Sequence, residues 1–196
     1  MKKNTLMRDL KGFIDSTEIR PILSCLHFDK DGSITATNSH VLVHVDNWHH
    51  LNKDFNLNLL YMTEDQGRYP DVKRIIPSDA GVVQYTIAGA GLADVVRWVK
   101  GNKAGGNDNL VKITLDNEVM KFSSAVSSVT VAGTLDSGDC MSETWVGSKH
   151  LYSVLTILND AAAGKDIKLN WWGAYHVIKL CCADMTTLLA VSCTTK

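Results

Sequence analysis

Leu6, Leu10, Phe13 and Ile14 recur at spacings of three and four, the stripe of an amphipathic helix, and Pro21 sets the point before which that helix must end. From Leu23 to Val45 the period falls to two. His40, Leu42 and His44 share one face, Val41, Val43 and Val45 the other, and Asp31-Gly32 marks the turn of a β-hairpin. Val82 to Ala88 reads as a strand, and Leu92, Val95, Val96 and Val99 make a second helical stripe that stops at the glycine-rich run from Lys103 to Asn107. Leu110 to Leu115, Val119 to Ala125 and Ser128 to Leu135 alternate apolar with polar or small residues, as an antiparallel meander does. A third helix carries Leu151, Val154, Leu155 and Leu158 and is broken at Gly164 to Asp166. Ile167 to Trp172, Tyr175 to Cys181 and Thr187 to Cys193 then read as strands. The order after the second proline-rich step is therefore βα-βββ-βα-βββ, an internal duplication. Helices backed by antiparallel strands predict an α+β layer architecture.

The run from Gly67 to Pro77 interrupts this pattern. Proline fixes φ near −65° and forces the preceding residue to be extended, so Tyr69-Pro70 and Ile76-Pro77 are steps that no helix interior accepts. The run predicts a connector of fixed shape and a break into two domains, 1–77 and 78–196. The first is short: about twenty residues separate Asp46 from the connector, too few for a second helix and a full set of strands.

Composition narrows the function more by exclusion than by assignment. An apolar content of 45% in 196 residues is that of a chain able to bury a core. The net charge of −1 gives no bulk attraction to nucleic acid or membrane, so any DNA role needs a local basic face. Five cysteines with no Cys-x-x-Cys spacing argue against a disulfide framework or a structural zinc site and point to a reducing, cytoplasmic setting. Arg8, Asp9 and Lys11 break the N-terminal apolar run, which is no signal peptide, and no stretch reaches the ~20 apolar residues of a membrane span.

The connector also carries a resemblance. Tyr69-Pro-Asp-Val-Lys-Arg-Ile-Ile-Pro77 resembles the segment between the second and third domains of bacterial DNA sliding clamps, the β subunit family of DNA polymerase III, where aromatic-Pro-Asp-x-basic-Arg-aliphatic-aliphatic-Pro recurs. Upstream, Ile19 to Phe28, the turn at Asp29 to Gly32 and Ser33 to Leu42 are similar to that family's helix end, hairpin and Ala-Thr-Asp-Gly-His-Arg-Leu strand end. Downstream, Trp145 to Leu158 is similar to the strand-to-helix step of its last domain. Correspondence is poorest between Asp46 and Gln66. The resemblance implies the DNA clamp fold, two domains of helices packed on antiparallel sheet, with the first truncated. It implies a processivity factor without catalytic groups or cofactors that holds duplex DNA without reading sequence and tethers a polymerase or clamp-loader-type protein. A ring in this family has six domains, so three such chains would close one; a dimer and an open monomer are the alternatives. The small size suggests a phage or mobile-element version.

Two sets of residues follow from the resemblance. Lys2, Lys3, Arg8 and Lys11 on the first helix, and Arg97, Lys100 and Lys103 on the second, fall where the family lines its channel. On general grounds each basic pair is the solvated face of an amphipathic helix, and only the resemblance assigns it to DNA. The family's groove for short linear peptides would be walled by Leu23, Thr37, Ser39, His40, Val41, Leu42, Pro70, Arg74 and Ile75, with Ala190 and Ser192 of the C-terminal tail as its floor. The family's Asp-Gly-His-Arg is here Asn38-Ser-His-Val41, and its closing Met-Pro-Met-Arg is Ser192-Cys-Thr-Thr195. These departures predict altered specificity; the alternative is that the residues simply pack the seam between domains.

Other patterns are weaker. His40, His44, His49 and His50 lack a cysteine or carboxylate at ligand spacing, so no metal is expected. Asp29 to Gly32 opens like a calcium loop but lacks the later ligands and reads as a turn. Trp171-Trp172 with Tyr175 could stack on a sugar or small ligand, though aromatic residues in strands usually pair across the sheet. Nothing pairs a nucleophile with a base, and no enzyme is expected. The runner-up to the clamp is a non-ring module that kept the fold and binds or regulates a replication protein.

Overall fold

The computed structural model describes residues 1–17, 19–102, 110–139 and 143–192; Lys103 and Cys193 lie outside them. Helix α1 (Lys3–Leu10) runs into a 3₁₀ turn (Lys11–Phe13), and a second 3₁₀ turn (Pro21–Ser24) leads to β1 (Cys25–Phe28), β2 (Ile34–Thr37), β3 (Val41–Val45), β4 (Phe55–Asn58) and β5 (Thr63–Asp65). The connector holds a third 3₁₀ turn, Val72–Arg74. Then come β6 (Val83–Ile87), α2 (Leu92–Asn102), β7 (Leu110–Leu115), β8 (Val119–Ser123), β9 (Ser128–Ser137), β10 (Glu143–Gly147), α3 (Ser148–Ala162), β11 (Ile167–Trp171), β12 (Ile178–Cys182) and β13 (Met185–Leu189). The duplicated βα-βββ order after the connector is as the periodicity predicts.

The strands form one antiparallel series, β10-β7-β8-β9-β6-β11-β12-β13-β3-β2-β1-β4-β5. Strand β9 serves both ends of the bend in this series, pairing with β8 through Ser128 to Ala132 and with β6 through Gly133 to Ser137. Gly133 is required there because a Cβ would lie 2.2 Å from the ring of buried Tyr85. The first unit joins the second without a gap: Val41 to Val45 of β3 pair with Leu189 to Met185 of β13.

The helices cover one face of the sheet, with α3 between α1 and α2. Their predicted stripes point into the core. Leu6, Leu10, Phe13, Leu92, Val95, Val99, Leu151, Val154, Leu155 and Leu158 are all buried, and each contributes on the order of 1.5–3 kcal/mol through the apolar area it removes from water. Strand β3 supplies Val41, Val43 and Val45 to the same core. The α-helical part of α1 is shorter than its stripe because the chain tightens at Lys11–Phe13, where Gly12 lets it press on α3; a Cβ on Gly12 would sit 2.7 Å from Ser153 Oγ.

One expectation needs correcting. His40 does not lie on a strand with Leu42 and His44. It belongs to the turn before β3, where Asn38 Oδ1 accepts the backbone N–H of His40 (3.0 Å) and Val41 (3.1 Å) and Ser39 takes φ +75°. Between Asp46 and the connector the chain forms the short hairpin of β4 and β5, which extends the sheet beyond β1.

Candidate nucleic-acid interface and partner groove

The outer faces of the three helices gather basic residues. Lys2, Lys3, Arg8, Lys11, Arg97 and Lys100 are exposed, as is Lys149 at the start of α3. Against them the helices carry Asp9, Asp94 and Asp160, so this layer is net positive in a chain whose total is −1. The seven basic residues are not equivalent. Arg8 reaches Asp9 Oδ1 at 2.9 Å and Asp160 Oδ2 at 2.6 Å and ties α1 to α3. Asp9 is buried, which raises its proton affinity despite the arginine. Arg97 pairs with Asp94 one turn earlier, at 2.6 Å. Lys2, Lys3, Lys11, Lys100 and Lys149 make no ion pair among the described residues, so they are the cations ready to meet a phosphate. Sequence spacing identified the face but did not distinguish engaged cations from available ones, because Asp160 lies 152 positions from Arg8.

On the opposite face of the sheet, where β3 meets β13, a second and smaller apolar cluster forms. Leu42 and Leu188 are direct cross-strand partners, Cys25, Tyr69 and Val72 pack on them, and Ile22, Ile76 and Val177 border the group half-buried. The connector crosses this seam and is fixed at several points. Tyr69 stacks on His27 with ring centroids 4.9 Å apart, Lys73 Nζ reaches Asp29 Oδ2 at 2.7 Å and also bonds Asp31, and Lys179 Nζ donates to the Pro77 carbonyl at 2.6 Å. Burial pushes the Cys25 thiol up to about 11, so it is an inert wall atom and no nucleophile.

The predicted groove residues divide over this geometry. Leu42 is in the cluster, and Pro70, Arg74 and Ile75 stand on the connector beside it, with Ile75 56% exposed and Arg74 bonded to Asp71 at 2.8 Å. Leu23 is buried, and Thr37 turns its hydroxyl to the Val41 carbonyl at 2.8 Å. Val41 points the other way, into the main core, and offers the groove no side chain. Ser39 and His40 are exposed on the turn, and Ala190 N–H donates to the His40 carbonyl at 2.9 Å while Ser192 N–H donates to the Trp145 carbonyl at 2.7 Å. Ile22, Tyr69, Val72, Ile76, Val177 and Leu188 were not identified from sequence. Val177 and Leu188 carried a period-two signal, but only the β3–β13 pairing brings it to the seam.

The aromatic pair is split by its strand. Trp171 is 1% exposed, and Trp172 donates its Nε1–H to Asp79 at 3.1 Å, so the two present no common stacking surface. His44 is buried, bonded to Thr35 Oγ1 at 2.8 Å and Asp46 Oδ1 at 3.1 Å. No helix among the described residues is long and apolar enough to cross a membrane.

No protein-family model matches the chain, and no curated protein does. Solved structures do. A DNA polymerase sliding clamp from Bacillus subtilis superposes with TM-score 0.72 at 17% identity, and DNA polymerase III subunit beta from Borrelia burgdorferi with TM-score 0.78 at 13%; each match covers 97% of this chain and 62% of the other. The Helicobacter pylori beta clamp bound to a DNA ligase peptide superposes with TM-score 0.68 at 15% identity, over 96% of this chain and 62% of that one. The chain thus has the fold of the DNA polymerase III β sliding clamps over nearly its whole described length, and spans less than two thirds of the clamps it matches.

Proposed function

We propose that this chain is a sliding-clamp-like tether: the helix layer lies against the phosphates of duplex DNA, and the seam between residues 1–77 and 78–196 holds a short segment of a polymerase or other replication protein. The observation that carries this is the segregation of charge on the clamp fold. Positive charge gathers on the helices and leaves the rest of a −1 chain negative, which suits a surface that slides on phosphates without reading bases. The Helicobacter pylori clamp's ligase peptide supports a peptide-holding role for the fold. No catalytic group is called for, and the setting is that of replication in a cytoplasm.

A ring of copies of this chain, with a head-to-tail trimer, a dimer and an open monomer as the alternatives, is the arrangement to test. Light-scattering chromatography with a nicked circular duplex tests it: a trimer retained on the circle and released on linearisation is the expected result, and a monomer indifferent to DNA rejects the tether on DNA. On linear duplex, Arg97→Glu with Lys100→Glu weakens association and lowers its salt slope by about two to four, one to two phosphate contacts for each reversed charge.

A second reading, a clamp-fold module that binds a replication protein without encircling DNA, is favoured by the pairing of Arg8 with Asp9 and Asp160 and of Arg97 with Asp94. It predicts partner binding that survives both charge reversals.

A further inference from the structure

Where α3 begins, the two units enclose a cavity of about 580 Å³. Residues 14–20 contribute Asp15, Thr17 and Arg20, the turn before β3 contributes Asn38 and His40, and α3 contributes Lys149 and His150. The rings of His40 and His150 stack across the boundary, 4.7 Å between centroids and 19° from parallel. Arg20 is held in place by Ser39 Oγ at 2.7 Å and more loosely by Asp15 Oδ2 at 3.5 Å. Asp15 is the one carboxylate in this described lining, and it is already engaged: Thr17 donates to it from its hydroxyl at 2.6 Å and its backbone N–H at 2.9 Å, which holds it below the usual carboxylate range. Lys149 has no anionic partner among the described residues, and the imidazoles add protonatable nitrogen. Among the described residues, the wall has more capacity for positive charge than Asp15 neutralises.

His40 also stands on the turn that walls the seam, so a segment lying along the seam's half-buried rim leads to this cavity. We infer that the cavity receives the carboxylate of an acidic residue in the linear peptide held by the seam, and that His150 couples its capture to pH; this rests on the tether reading. Among the described residues, the charged and titratable groups that line the cavity with His150 are His40 from the turn, Lys149 on its own helix, and Arg20 and Asp15. Burial first, then His40 and Lys149, lower the proton affinity of His150 to about 4. A carboxylate in the cavity opposes those effects and raises it. Binding therefore takes up protons and strengthens as pH falls from neutral.

The probe is a pair of blocked dipeptide-sized ligands, N-acetyl-glutamate methylamide and its glutamine counterpart, titrated while the imidazole resonances of His40 and His150 are followed by NMR across pH. The glutamate compound is expected to raise the His150 midpoint and to bind about tenfold more tightly near pH 5.5 than near pH 7.5, with the glutamine compound indifferent to pH. Arg20→Gln and Lys149→Gln should each weaken the glutamate compound alone, and His150→Phe, which keeps a ring in the stack, should remove the pH dependence. Equal responses to the two compounds, or none, overturn the inference. N-acetyl-leucyl-leucine methylamide, followed on the methyl resonances of Leu42, Leu188 and Val177, tests the seam separately: its failure rejects the tether's groove, whereas its success with glutamate failure rejects only the acidic preference.

Discussion

The two apolar clusters differ in how they close. The main core is sealed by three helices on one side and sheet on the other, and its leucines, such as Leu155, are essentially inaccessible. The seam cluster at Leu42 and Leu188 is covered by Tyr69 and Val72 of the connector, bordered by half-buried Ile22, Ile76 and Val177, and flanked by exposed Ile75 and Arg74. A sealed cluster is explained by stability. An apolar cluster whose members are buried but whose rim at Ile22, Ile75, Ile76 and Val177 is left partly open, under a strap pinned by side-chain bonds, is the surface we propose for contact. The family likeness alone would not have separated these roles, because both clusters lie in the matched fold.

Truncation in each cluster tests that difference most directly. Leu155→Ala is expected to cost about 2–5 kcal/mol in urea unfolding, and Val177→Ala well under half of that. Equal costs would make the seam an ordinary part of the core. Next, Gly12→Val should cost about 1–3 kcal/mol, because the added side chain must move Ser153 and separate α1 from α3 while leaving the seam intact. A seam ligand's affinity unchanged in a destabilised variant would show the two regions to be independent. His150→Phe sharpens the boundary between them. The unfolded histidine has the ordinary value of 6.5 and the folded one is lowered to about 4, so between these values the unfolded chain binds more protons and the fold loses stability as pH falls. Wild type should lose about 1–2 kcal/mol across that window after allowance for its partial exposure, and the variant should show a flatter profile.

The smallest effect concerns the strap. Lys73→Met should cost less than ~1 kcal/mol at neutral pH, the ordinary size for a partly exposed ion pair. Its bonds hold Asp31 below the usual carboxylate range, and Asp29 too although burial works against that shift. The contribution is thus present above the ordinary carboxylate value and lost as pH falls through the lowered ones, so the variant and wild type should converge in acid unfolding. A difference that persists in acid would mean the lysine acts by packing.

Much of the second unit was legible because its stripes are simple: Leu92, Val95 and Val99, then Leu151, Val154, Leu155 and Leu158, all face one core. The first unit hid more. In β4 the polar residues face inward. Asn56 is buried, bonded to His27 Nδ1 at 2.8 Å and to the Gly67 carbonyl at 2.7 Å, and buried Asn58 accepts from Leu60 N–H at 2.9 Å. A hydrophobic period cannot register a strand whose inner face is made of amides. The turn at Asn38 was hidden for a related reason, since alternation through His40 mimicked a strand that the Asn38 side chain in fact ends. At the site, Arg74, Ile75 and Leu42 could be named from a local motif, whereas Leu188, Val177 and the His40–His150 stack required strands and helices far apart in sequence to meet.

That last dependence has a consequence for biosynthesis. The seam is made by pairing β3 with β13, so one wall leaves the ribosome well before the other. Loop closure over that separation is slow and comes late in folding. Until β13 docks, β3 has a bare edge and no groove beside it. A chain that stalls or misfolds before that step lacks the seam that we propose holds a partner's segment.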